Sequence, residues 1–239
     1  MNIIGRKPVL ELLRSDKAVK RVVLVLGSQG RIVGDILSAA KSKGIRVDRV
    51  PSERATQVLG HGNHQGVLAE LSPVTYYSIR DINDTIPIEN GLIVVLDGVT
   101  DQHHLGAIAR SALAAGADAI MLQERRGALP NEISVKISAG TLLRLPVIVE
   151  TNISRAVELL KKDGWWVHGT FGEAGTDLWE HEWDEMTLLV IGSEGDGISH
   201  RVTEFCDHKV RIPMGNEVES LSASAAASVI LFDIVRKRT

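Results

Sequence analysis

At 239 residues, with 44% hydrophobic and 24% charged content, the chain can bury one large core or two modest ones, and no apolar run in it reaches the length of a membrane span. The single cysteine, Cys206, excludes an internal disulfide and a thiolate zinc framework, and is expected on the core side of a helix. The net charge of −3 conceals an asymmetry, because residues 1–72 hold twelve Lys or Arg against six Asp or Glu while the remainder holds fifteen against twenty-four. A basic front suits a polyanion such as RNA, since each neutralised phosphate releases counterions; a lysine-rich solvated surface would give the same count. MNIIGRKPVLELL lacks the charged start, apolar stretch and small-residue cleavage site of a secretory signal, so a cytoplasmic protein is expected.

In chain order, VLELLR reads as helix, RVVLVLG as strand, RIVGDILSAAKSKG as helix, and IRVDRV and GVLAEL as strands. This mixture predicts a small α/β domain over 1–72. The pattern breaks up around LSPVTYYSIRDINDTIPIENG, where Pro73 and Pro87 fall among turn residues, and 73–90 is expected to be a linker. From 91 to 239 short β-branched runs (LIVVLDG, ADAIML, LPVIVE, WWVHGT, TLLVIG, KVRIPM) alternate with helical patterns (LGAIARSALAAGA, ISRAVELLKKDG, ISHRVTEF and the final LSASAAASVILFDIVRKR). Continuous apolar strands fit a mostly parallel sheet covered by helices on both faces, with ligands bound beyond the carboxyl ends of the strands.

Three segments fall at such ends. The loop GSEGDG (192–197) offers glycines that can expose backbone amides, but Glu194 and Asp196 would repel a phosphate. A cationic sulfonium carried on a nucleoside suits them better, which favours S-adenosylmethionine over ATP or NAD; a glycine-rich turn with a solvated acidic tip remains the plain alternative. Arg110 is the one charged side chain in an otherwise small or apolar helix expected from near Leu105. It asks for an anionic partner, either a phosphate or a carboxylate reached past the core. Asp97, Asp101, His103 and His104 are read as a polar helix entry, because adjacent side chains seldom converge on one ion, and no metal is expected. His64 opens the last strand of the front domain, with a turn hydrogen bond or an RNA contact as its role. Ser220, outside any G-x-S-x-G elbow, is read as a hydroxyl that orients a ligand.

Taken in order, IIGRKPVLELL, NHQGVLAEL, HLGAIARSA, VIGSEGDGIS and IPMGNEVESLSASAA resemble the SpoU/TrmH branch of the SPOUT RNA 2′-O-ribose methyltransferases. The layout is similar to the bacterial 23S rRNA guanosine-2′-O-methyltransferases. The resemblance implies a small RNA-binding domain similar to the ribosomal protein L-thirty-e fold, a C-terminal α/β domain with a trefoil knot, and a homodimer. It implies an S-adenosylmethionine site at Thr170, Gly192, Gly195, Ile212, Met214 and Leu221, with Arg110, Ser220 and Glu194 at the catalytic centre. His104 and Ser222 stand there too, where the family carries Asn, and Leu143 stands where it usually carries Glu. Arg6, Lys7, His64 and Gln65 would face RNA. The three departures leave a second reading open: a relative with weakened turnover that acts as an RNA-binding or ribosome-assembly factor.

Overall fold

The alternating patterns of the front segment become, in a computed structural model of the chain, one small sheet with three helices. The structure describes residues 2–14, 18–59, 63–72, 74–82, 84–172, 175–215 and 220–238. They fall into two compact units, Met1–Thr75 and Tyr76–Thr239. No helix among the described residues is long and apolar enough to cross a membrane.

The first unit runs β1 (Asn2–Ile4), α1 (Arg6–Arg14), β2 (Val19–Val25), α2 (Arg31–Ser42), β3 (Val47–Val50), α3 (Ala55–Leu59) and β4 (Val67–Leu71). Its strands lie in the order β1-β4-β2-β3, and only the β2–β3 pair is parallel. Val9 and Leu13 of α1 recur at helical spacing, and with Ile36 of α2 they close over Val22, Val67 and Ala69 of the sheet. Two carboxylates staple the other side: Glu70 accepts from Lys20 and Arg21, and Asp48 from Arg21 and Arg46.

The second unit begins before the expected domain start. Within the presumed linker, β5 (Tyr76–Tyr77) pairs in parallel with a strand of the large sheet, and Ile82 and Ile86 are buried in its core. Then come β6 (Leu92–Asp97), α4 (Gln102–Ala114), β7 (Ala119–Gln123), α5 (Glu132–Ile137), β8 (Val147–Glu150), α6 (Ile153–Lys162), β9 (Trp166–Thr170), β10 (Thr176–Asp177), β11 (Thr187–Gly192), α7 (His200–Thr203), β12 (His208–Arg211) and α8 (Ala223–Arg238). The strand order is β10-β12-β9-β11-β6-β7-β8-β5, and the pairings are parallel throughout. Helix α4 starts three residues earlier than its apolar pattern suggested. Asp101 caps it, accepting from the backbone N–H of His103 at 2.6 Å and of His104 at 3.0 Å. Helix α5, which the hydrophobic pattern did not announce, is capped in the same way by Asn131. It lies so close to α4 that a Cβ on Gly106 would stand 2.7 Å from the Ser134 carbonyl oxygen.

One face of the large sheet is plainly apolar: Ile93, Val95, Met121, Val167, Leu188 and Val190 pack with Val157 and Leu160 of α6. Cys206 packs at the margin of this cluster, just after α7, and burial pushes its thiol up to about 11. On the other face His168, with no exposed surface, stacks on His208 at 4.7 Å between ring centroids and meets His181 edge-on at 5.0 Å. Burial, reinforced by those two neighbours, pushes His168 down to about 3, so it is neutral at pH 7.

Candidate active site

Strands β9, β11 and β12 lie side by side and parallel, so their carboxyl ends and the loops that follow them gather at one edge. Between these loops and the first turns of α8 the structure forms a cleft of about 630 Å³, within the range of small-molecule sites. Thr170 comes from β9, Gly192 from the end of β11 and Gly195 from the turn after it, Ile212 and Met214 from the segment after β12, and Leu221 from the entry to α8. All six residues expected around a cofactor thus line a single cleft. Ser220 and Glu194 line it as well. Residues 216–219 of the same motif lie outside the described residues.

Backbone geometry, more than side chains, shapes this cleft. Gly192 ends β11 where the chain doubles back through 193–197, with Ser193 and Gly197 exchanging backbone hydrogen bonds of 3.0 and 3.1 Å. A Cβ on Gly192 would lie 2.2 Å from the carbonyl carbon of Gly197, so no side chain fits. The buried carboxylate of Asp97, at the end of β6, accepts from the Ser199 N–H at 2.7 Å and anchors the far end of the loop. Opposite, Ala223 and Ala226 of α8 present methyl groups, and their small size leaves the room. Glu194 and Asp196 make the rim acidic.

Glu194 also links the loop to two helices. Its Oε1 accepts from the N–H of Ala223 at 3.3 Å and lies 3.0 Å from Nε2 of His104. The other ring nitrogen of His104 is 3.2 Å from the Ser224 hydroxyl, and Ser111 and Ser228 continue the α4–α8 seam at 2.7 Å. Ser222 caps α8, accepting from the Ala225 N–H at 3.3 Å. Leu143 sits in a 3-10 turn, 55% exposed and not on the cleft. Arg110 is not on the cleft either. It stands exposed on α4, with no ion pair or side-chain hydrogen bond among the described residues.

Phe171, Val210, Ala226 and Ile230 also line the cleft, beyond the residues expected from the sequence. The last two belong to a row at spacing three to four along α8 with Ala223, a signal the sequence does carry.

In the first unit, Arg6, Gln65 and His64 meet at one corner. The Arg6 guanidinium donates to the carbonyls of Gln65 and Gln29, each at 3.0 Å, and the Gln65 side chain accepts from the Arg6 N–H at 3.0 Å. Nδ1 of His64 accepts from the Gly66 N–H at 2.9 Å, the turn bond foreseen for it. Lys7 is exposed beside them.

Two family models account for nearly the whole chain: residues 91–232 match the SpoU rRNA methylase family, and residues 2–77 match the RNA 2′-O-ribose methyltransferase substrate-binding family. The chain belongs to the SpoU rRNA methylase family. It is 39% identical over 240 residues to the 23S rRNA (guanosine-2′-O-)-methyltransferase RlmB of Xylella fastidiosa strain 9a5c, covering 99% of this chain and 96% of that one. A putative TrmH family tRNA/rRNA methyltransferase of Staphylococcus epidermidis is 35% identical, covering 99% of this chain and 95% of that one. The SpoU methyltransferase AviRb of Streptomyces viridochromogenes, solved in complex with AdoMet, shares the fold with a TM-score of 0.62 at 23% identity, over 100% of this chain and 90% of that one.

Proposed function

We propose that this SpoU family member transfers the methyl group of S-adenosylmethionine to a ribose 2′-hydroxyl of 23S rRNA. The observation that carries the reading is the single cleft that gathers Thr170, Gly192, Gly195, Ile212, Met214 and Leu221 at the carboxyl ends of three parallel strands. The cleft suits that cofactor: its volume matches a nucleoside-sized ligand, its glycine turn lets the backbone approach, and its rim of Glu194 and Asp196 favours a sulfonium over a phosphate. Those six residues would hold the cofactor, which when bound supplies an electrophilic methyl.

The remaining work falls to the chain's own groups. The attacking hydroxyl must shed a proton, and the alkoxide that develops needs a positive partner. Arg110 is no base, since a guanidinium keeps its proton above pH ~12. Its exposed guanidinium, with no ion pair among the described residues, clamps the phosphate next to the target ribose and stabilises the oxyanion, while a phosphate oxygen or water takes the proton. Ser220, on the cleft, orients the ribose. His104 holds Glu194 in place, and Ser222 holds the start of α8, so the residues that replace Asn have hydrogen-bonding work in the site. In the first unit the corner of Arg6, His64 and Gln65, with Lys7 beside it, meets the RNA backbone. The second unit carries the family's trefoil knot, and two chains pair through the outer face of α8, where Val229 and Phe232 lie exposed one turn apart.

The test is a single-turnover assay with labelled S-adenosylmethionine and 23S rRNA lacking the modification, followed by mapping of the methylated ribose. Arg110→Lys is expected to slow transfer about 100-fold with cofactor affinity unchanged. Full turnover in that variant would remove the phosphate clamp. A chain that binds cofactor and RNA yet methylates no ribose would overturn the assignment.

A further inference from the structure

Beneath the cleft, the same strands carry a group of side chains that methyl transfer leaves unused. His168 of β9 and His208 of β12 are register partners, and two residues further on, on the same face, stand Thr170 and Val210 of the cleft wall. Asp184, from the segment between β10 and β11, reaches both rings. Its Oδ2 lies 3.1 Å from Nε2 of His168 and 3.4 Å from Nε2 of His208, and the three atoms all fall within 4.8 Å of one another.

We propose that His168, Asp184 and His208 form a site for a divalent transition metal of the zinc class. Two imidazoles and a carboxylate are a ligand set such ions accept. Ligand atoms bound at about 2.1 Å in a tetrahedron stand roughly 3.4 Å apart, close to the two separations that Asp184 makes. A second observation points the same way. His168 has no exposed surface, yet its Nε2 makes no hydrogen bond among the described residues; it lies near Asp184 without the alignment such a bond needs. A buried polar atom left in that condition is costly unless something binds it. Its other nitrogen, Nδ1, is 2.9 Å from Nε2 of His181. A proton on Nδ1 donated to His181 leaves the Nε2 lone pair facing Asp184 and His208, the outer-shell arrangement that orients metal-binding histidines. Asp184 and His208 keep 31% and 38% of their side-chain surface exposed, which provides an entry path and room for water as a fourth ligand. The positive groups nearby are turned elsewhere: Lys237 donates to the His181 carbonyl at 2.5 Å, and Arg238 to the backbone of Asp184 and Glu185. An ion here ties β9, β12 and the 178–186 segment together under the cleft floor. Its role is structural.

The experiment uses the full chain without an affinity tag, stripped with chelator and titrated with Co²⁺ and then Zn²⁺. One equivalent of Co²⁺ is expected to bind with a visible absorption band of low coordination number, to be displaced by Zn²⁺, and to raise the melting temperature. His208→Ala and Asp184→Asn, both at partly exposed positions, are each expected to weaken binding at least ~10-fold with the far-ultraviolet circular dichroism unchanged. Imidazole nitrogen NMR of the unaltered chain then needs no variant to fold: Zn²⁺ should shift His168 and His208. Absence of stoichiometric binding, binding that survives both substitutions, or shifts confined to other histidines would overturn the proposal.

Discussion

Strands β9 and β12 end in two very different neighbourhoods two residues apart. Around Thr170 and Val210 the cleft is made of backbone turns and small side chains, whereas around His168 and His208 the space is filled by stacked imidazoles, Trp183 and a carboxylate. The first leaves a volume for a nucleoside-sized ligand, and the second packs its rings against one another. The contrast teaches that the cleft is most sensitive to atoms added, and the histidine layer to atoms removed. Deleting the His168 ring tests this most severely. His168→Ala should cost about 2–5 kcal/mol in the metal-free chain, from the cavity it leaves and the lost bond to His181, read as a lower urea midpoint. A loss under ~1 kcal/mol would mean that the layer is loosely packed.

Addition is the corresponding test at the cleft. Gly192→Ala forces a methyl group against the Gly197 backbone, and rigid overpacking costs about 1–3 kcal/mol. If the 193–197 turn yields to relieve it, affinity for S-adenosylhomocysteine by calorimetry should fall about 10- to 100-fold while the fold persists. Unchanged affinity would show that the turn shifts without reshaping the site.

The same contrast explains what the sequence discloses. Two parts of the cleft are legible as local signals, a glycine turn after one apolar run and a small-residue helix after another, whereas Thr170, Ile212, Met214 and Leu221 follow only from the family resemblance. The large parallel sheet was legible for a similar reason, through unbroken runs such as TLLVIG. The two-residue strands β5 and β10 are too short to show any period, and α5, only six residues long, rests on the Asn131 cap rather than on an apolar face. The start of α4 was misplaced because the cap at Asp101 sets it, not the first leucine. The histidine layer escaped altogether. His168, Asp184 and His208 are scattered over forty residues, and parallel register alone sets His168 beside His208. The adjacent pair His103–His104 is the more conspicuous in the sequence, yet it is His104 that reaches Glu194, and the backbone of both is used by the Asp101 cap.

Glu194 gives the smallest effect and the finest distinction, because it is the one charged side chain with two jobs at the cleft. Its carboxylate joins His104 and the α8 entry, and it also makes the rim negative. Half of the side chain is exposed, so solvent screens both contributions, and Glu194→Gln should cost about 0.2–1 kcal/mol, at most a fivefold loss of cofactor affinity. Glutamine keeps an acceptor for the Ala223 N–H, so the turn should hold while the charge disappears. S-adenosylmethionine, with its sulfonium, should therefore lose affinity, and neutral-sulfur S-adenosylhomocysteine should lose little. The difference should shrink as salt is raised, since screening weakens the attraction of an exposed carboxylate for a cation. An equal loss for both ligands at every ionic strength would place the role of Glu194 in the geometry of the turn, and the cleft would then choose its ligand by backbone shape alone.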